Sequence, residues 1–484
     1  MNSAFYPLSF AVAAAVIFSG CRTNIAPPEP VLPVPTENQL RWHEMEMNAF
    51  IHFTTNTFTD REWGLGNEPP EIFNPTELDA DQWVAVLRRA GFKGIILTCK
   101  HHDGFCLWPS EYTEHDIQNS PYKDGAGDVV REVAEACQRH GLKFGVYLSP
   151  WDRNHPEYGS PEYITYYRNQ LRELFTRYGD IFEMWFDGAN GGDGYYGGSY
   201  AIRRIDGSTY YDWPTTIDLV KGIQPDVLFF SDAGPSLRWC GNEQGIGGET
   251  NWNTITPDTL YAGKPDIGEL LNTGSPEGTH WIPAEVNTSI RPGWFYHASE
   301  DSLVKSPEKL FDIFLTSVGR GSTLLLNVPP DRRGRIHERD VAVLKKWRTL
   351  IDSTFKTNHA LHASAAADNY RGRSEAYAPT NVTDDDKETY WATDDGRTTG
   401  RIDIDLGERR TISFVVLQEY IRLGQRVKQF SVSVRDGDNW KPVAQGTTIG
   451  YKRILRVDPV VTDAVRITIE DARASPVISN VGIY

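Results

Sequence analysis

From Gln39 to about Phe355 the chain repeats one pattern, a short apolar run followed by a polar turn and often by an amphipathic stretch. The runs are Ala49–Phe53, Gly94–Thr98, Phe144–Leu148, Glu183–Phe186, Val227–Phe230 and Thr323–Val328. Between them Asp79–Ala90 brings Trp83, Val86 and Leu87 to helical spacing, and Asp128–His140 and Glu162–Tyr178 read the same way. Strands that are apolar throughout need cover on both faces, so strand and helix in alternation imply a parallel sheet. The length of the region, 39–356, favours a closed (β/α)8-type barrel over an open sheet. Its sixth strand is the least marked, and Trp281–Val286 is the segment assigned to it.

After Thr357 the period changes. Arg401–Leu406, Phe430–Val434 and Ala464–Ile469 alternate apolar and polar residues and are separated by Gly and Asp turns. This pattern predicts an antiparallel β-sandwich over 357–484.

The first residues read as a targeting segment. Leu8–Phe18 is too short to span a bilayer but has the length of a signal-peptide apolar region. Ser19-Gly20-Cys21 follows and resembles the bacterial lipoprotein box, although Phe18 stands where that box usually has Leu. The expectation is a signal peptide over 1–21, lipid attachment at Cys21, export to the periplasm or cell surface, and a Pro-rich tether over 22–38. Membrane contact is expected only through that anchor. Acidic residues outnumber basic ones, 65 to 49, and no basic run is present, which argues against a nucleic-acid partner. Cys99, Cys106, Cys137 and Cys240 lack the paired short spacing of a zinc site and read as small buried hydrophobes.

In a parallel barrel, chemistry belongs at the C-terminal ends of the strands. The polar residues placed there are His52, His101, His102, Tyr147, Asp187, Asp232 and Asn327. Asp187 leaves an apolar strand into Gly188-Ala189-Asn190-Gly191-Gly192, a small-residue loop that gives a carboxylate open space. His101 and His102 are adjacent, so both face one pocket only if the chain bends, which Gly104 permits. A metal site at His101, His102 and Asp103 matches no common ligand spacing, whereas neutral imidazoles suit sugar hydroxyls.

Trp42-His43, His52-Phe53, Glu62-Trp63-Gly64, Lys100–Phe105 and Trp185-Phe186-Asp187-Gly188 together resemble the α-L-fucosidases of glycoside hydrolase family 29, in order and across 39–355. The resemblance implies a retaining exo-α-L-fucosidase acting on fucosylated oligosaccharides or glycoconjugates, with Asp187 as nucleophile and no catalytic cofactor or active-site metal. It places fucose among His52, Glu62, Trp63, His101, His102, Tyr147, Trp185 and Trp294. Phe230–Pro235, Arg238–Glu243 and Ser289–His297 are similar to the branch that takes α1,3- and α1,4-linked fucose from Lewis-type glycans. That branch implies Glu243 as acid/base, with Glu285 as rival and Glu249 as third candidate. Thr383–Ala392 and Ile404–Gly407 resemble the discoidin, or coagulation-factor type C, sandwich. This implies a sugar-binding module and, at the Asp384–Asp386 run, a structural calcium ion. Two alternatives remain at this stage: an α-L-galactosidase, or a non-catalytic carbohydrate-binding protein on a degenerate barrel.

Overall fold

The computed structural model describes Met1 and residues 25–484. The signal-peptide and Cys21 expectations lie outside the described residues, among which no helix is long and apolar enough to cross a membrane.

Eight parallel strands close into a barrel in chain order: β1 (Met47–Ile51), β2 (Gly94–Lys100), β3 (Lys143–Leu148), β4 (Ile181–Trp185), β5 (Leu228–Ser231), β6 (Leu237–Trp239), β7 (Ala284–Ser289) and β8 (Thr323–Asn327). β1 and β2 are buried at every position, as two covered faces require. The covering helices follow the sequence signals. Ala80–Ala90 starts on the Asp79 side chain, which accepts from Gln82 N, and stops at Gly91, whose φ is +99°. Val129–His140 uses Asp128 and Gly141 in the same way. In the first helix Val84, rather than Val86, joins Trp83 and Leu87 in the core.

The sixth strand departs from the sequence reading. Trp281–Val286 is split: His280–Trp281 pairs antiparallel with Thr254–Ile255 outside the barrel, and β7 begins at Ala284. The true sixth strand is β6, which follows β5 with no helix between, through Asp232–Ser236. Its central residue, Arg238, is fully buried and donates to Leu271 O and Trp252 O, both at 2.8 Å. A short strand with an arginine at its centre carries no apolar pattern, and only distant carbonyls make it viable.

The last barrel helix is Glu338–Thr354, and the strands of the second domain begin at Ser364–Ala367. Two long strands, Gly400–Glu419 and Arg453–Ala472, pair antiparallel along most of their length. Register shifts between Asp405 and Arg410 and between Ile412 and Phe414 bend the sheet over a core of Ile402, Ile404, Val415, Leu417, Phe430, Val465 and Ile467.

The Pro-rich segment is extended but is not a free tether. Arg371 Nε donates to Ala26 O at 2.6 Å, Tyr377 Oη to Ile25 O at 3.0 Å and Arg426 Nη2 to Glu29 O at 2.7 Å. A proline-rich chain offers carbonyls it cannot pair internally, and the second domain supplies the donors. The Asp384–Asp386 run, where the calcium expectation falls, forms a hydrogen-bonded turn. Asp384 accepts from Asp386 N and Thr389 Oγ1, and Asp386 accepts from Glu388 N, so these carboxylates close their own turn. Among the described residues, no group of three or more His, Cys, Asp or Glu side chains converges to hold a metal ion.

Candidate active site

Asp187 lies two residues beyond the end of β4, at the barrel mouth. Tyr147 Oη donates to its Oδ2 at 3.1 Å and Ala189 N to its Oδ1 at 2.7 Å, while a quarter of the side chain stays accessible. Burial raises its pKa, and the two donors pull it back down. Asp232, at the end of β5, lies alongside: a Cβ on Gly188 would meet Asp232 Oδ2 at 2.2 Å. Any side chain after Asp187 would have to displace the Asp232 carboxyl. Burial pushes Asp232 up to about 6, the Gly263 amide lowers it, and the Asp187 charge raises it further. The sequence marked Asp232 as a strand-end residue but gave it no role.

The three histidines converge as expected. Gly104, at φ +79°, donates its N–H to His101 O at 3.0 Å and turns the chain so that His101 and His102 lie with ring centroids 4.1 Å apart. His52 stands 5.5 Å from His101. Burial holds His52 and His102 down at about 3 and depresses His101 as well, so all three are neutral at neutral pH. Their tautomers follow from their partners. Asn327 Nδ2 donates to Ser289 Oγ and Trp294 O, which leaves its Oδ1 to accept from His52 Nδ1 at 2.8 Å. Ser149 Oγ donates to Trp151 O and accepts from His102 Nδ1 at 2.7 Å. Both imidazoles therefore keep Nε2 as an acceptor, and His102 Nε2 is 3.9 Å from Asp187 Oδ2. Ser149 and Trp151 were not singled out from sequence, although both follow β3 where the strand-end rule points.

Glu62 and Trp185, two of the expected sugar ligands, also hydrogen-bond to protein partners. Glu62 accepts from Trp294 N at 2.8 Å and Phe295 N at 3.1 Å, and it pairs with His297 Nε2 at 2.7 Å. It thereby holds the 294–297 loop and sets Trp294 5.2 Å from His52. Trp185 is buried, stacks on Phe230 at 4.2 Å, and sends its indole N–H down to Glu285 Oε1 at 2.9 Å. Trp63, by contrast, is half exposed and sits edge-on to His102 and Trp151.

The three acid candidates separate by location. Glu285 is fully buried within the barrel beside Glu183, which accepts from Trp42 Nε1 at 3.0 Å. Burial pushes both carboxyls up, and neither is exposed to solvent. Glu249 lies at the contact with the second domain, 3.2 Å from Arg453 and 3.5 Å from Arg320. Glu243 is exposed on the loop after β6. Partial burial of its carboxyl raises its pKa, the Trp294 indole lowers it, and the charges of Asp187 and Glu62 raise it. The free cysteines Cys99, Cys106, Cys137 and Cys240 are buried, and burial raises all four thiols.

A parallel barrel whose strand ends gather carboxyls, neutral imidazoles and indole faces has the architecture of a glycoside hydrolase. Residues 31–350 match the α-L-fucosidase family profile and residues 362–481 match the F5/8 type C domain, and the chain belongs to the family 29 α-L-fucosidases. It is 40% identical to alpha-L-fucosidase 1 of Arabidopsis thaliana over 94% of this chain and 88% of that protein. It is also similar to a solved glycoside hydrolase 29 family member from an unknown rumen bacterium, at 46% identity and a TM-score of 0.84 over 94% of this chain and 78% of that one. A Ruminococcus gnavus GH29 fucosidase in complex with fucose superimposes with a TM-score of 0.86 at 36% identity, covering 95% of this chain and 96% of the other.

Proposed function

We propose that the protein releases terminal α-L-fucose with retention of anomeric configuration, Asp187 acting as nucleophile and Glu243 as acid/base. The observation that carries this reading is the setting of Asp187: an accessible carboxylate at a strand end, held by Tyr147 and Ala189 N, beside neutral histidines. Asp187 attacks the anomeric carbon, the glycosidic C–O bond breaks, and the Glu243 proton passes to the leaving oxygen. Water then adds to the same carbon, Glu243 takes its proton, and the ester bond to Asp187 breaks. Two carboxyls roughly 5–5.5 Å apart suit this double displacement. Neutral His52, His101 and His102 suit it as well, because an imidazolium would oppose the oxocarbenium character of the transition state. Glu243 is preferred because Glu285 is enclosed in the barrel and Glu249 is engaged by arginines.

A 2-fluorinated fucosyl fluoride should label Asp187, detected as one added sugar on its peptide, and early product should be α-fucose by NMR. β-Fucose as first product would overturn the retaining reading. The preference for α1,3- and α1,4-linked fucose rests on the Phe230–Pro235, Arg238–Glu243 and Ser289–His297 blocks. Faster fucose release from a Lewis trisaccharide than from a linear 2′-fucosylated one supports it, and the reverse order removes it. Export and lipidation at Cys21 rest on the Leu8–Cys21 sequence. Cys21→Ala should leave the membrane fraction, and a variant still found with membranes would end that reading.

A further inference from the structure

Glu243 rides on the stretch between β6 and Thr254–Ile255, which has no helix or strand of its own. On its barrel side, Gly247 N donates to Thr316 O at 2.8 Å and Arg320 Nη1 to Gly247 O at 2.9 Å. Its other side is held by the C-terminal domain. Asn251 N donates to Thr448 Oγ1 at 2.9 Å and Asn253 N to Gln425 Oε1 at 2.8 Å. Gln425 Nε2 donates back to Asn251 O at 2.8 Å, so one side-chain amide pairs with the loop backbone in both directions, as a neighbouring strand would. Arg453 Nη1 donates to Glu249 O at 2.7 Å. Gln425, Thr448 and Arg453 are all buried. Such a network fixes register, because sliding the loop by one residue would leave several buried donors and acceptors unpaired.

We propose that the C-terminal domain is a working part of the catalytic site, with Gln425, Thr448 and Arg453 as positioning residues that aim the Glu243 loop at the glycosidic oxygen. This inference rests on the reading of Glu243 as acid/base. It gives the domain a task that does not require it to bind sugar, and it applies to substrates too small to reach the domain.

The test uses the full-length protein with Gln425→Met and, as the milder change, Thr448→Val. A misaimed acid harms a poor leaving group first. The kcat/KM on a fucosylated trisaccharide should fall about 10-fold, within what misplacement of a general acid costs. The kcat/KM on an aryl fucoside with a good leaving group should change by no more than about 2-fold, since its bond breaks with little protonation. Inhibition by free fucose, which reads the histidine half of the pocket, should be unchanged. Equal losses on both substrates would mean that these residues merely support the fold, and no loss in either variant would mean that they do not position Glu243; each result overturns the inference. Glu243→Ala run in parallel separates the two claims. If it shows no selective loss on the trisaccharide, the acid/base reading itself fails. If it shows the loss and the other variants do not, the positioning role alone is lost.

Discussion

The two halves of the pocket are held in place by different means. His52, His101, Tyr147 and Asp187 leave β1 to β4, whose pairing with neighbours on both sides fixes where each residue emerges. Glu243 and Trp294 ride on loops that are secured from a distance, one by the C-terminal domain and the other by Glu62. A strand-end group is positioned by the barrel itself, while a loop group depends on a few hydrogen bonds between residues far apart in sequence. Under the proposed function the strand half grips the fucose, and the loop half faces the part of the substrate that varies.

The sharpest way to break this contrast is Asp187→Asn. It should lower kcat on the order of 10⁴-fold or more, with fucose affinity and thermal midpoint near those of the unmodified protein. Turnover within about 10-fold of normal would show that the attack does not come from the strand half.

The loop half is tested by Glu243→Ala against Glu285→Gln. The first should lose about 10²- to 10⁴-fold on glycans and regain turnover of an aryl fucoside with azide, giving a fucosyl azide. The second should show no azide rescue. If azide rescues the Glu285 variant instead, the acid lies inside the barrel and the division into halves fails. Glu285→Ala should instead cost stability, about 1–3 kcal/mol by chemical denaturation, because the buried Trp185 N–H loses its acceptor.

A smaller effect concerns pH. Folded His52 and His102 are held near pKa 3 against a usual 6.5, so over that window the unfolded chain binds protons that the folded chain refuses. Stability from these groups is complete above pH 6.5 and is lost as pH falls toward 3. Asp103, which burial pushes up to about 7, acts in the opposite sense as pH rises, so the comparison must be between variants. His102→Gln should flatten the acid side of the denaturation midpoint against pH, and an unchanged slope would count against a neutral buried His102.

The smallest expected effect sharpens the loop half. The Trp294 indole lowers the Glu243 pKa, so Trp294→Phe should move the alkaline limb of kcat/KM to higher pH. A limb that stays in place or moves down would detach Glu243 from that limb.

Much of the strand half is legible in the sequence because it depends on local pattern. An apolar run ending in a polar residue is visible without knowing its neighbours, and Gly104 announces the bend that joins His101 to His102. The loop half resists such reading. Glu62 and Trp185 stand in recognisable motifs without revealing that the first meets the Trp294 and Phe295 amides and that the N–H of the second turns inward to Glu285. Arg238 hides β6 altogether, because its four acceptors come from segments that approach only in the folded chain.

The sequence by itself determined the alternating barrel, the antiparallel sandwich after it and the polar residues at the strand ends, since hydrophobic periodicity and glycine punctuation act over a few residues. Tertiary structure alone decided what surrounds each candidate glutamate. Glu243, Glu249 and Glu285 have the same side chain, and they differ only in surroundings: open loop, arginine-lined domain contact and closed barrel interior. A carboxyl's proton affinity and reach are set by those surroundings, which are assembled from residues distant along the chain.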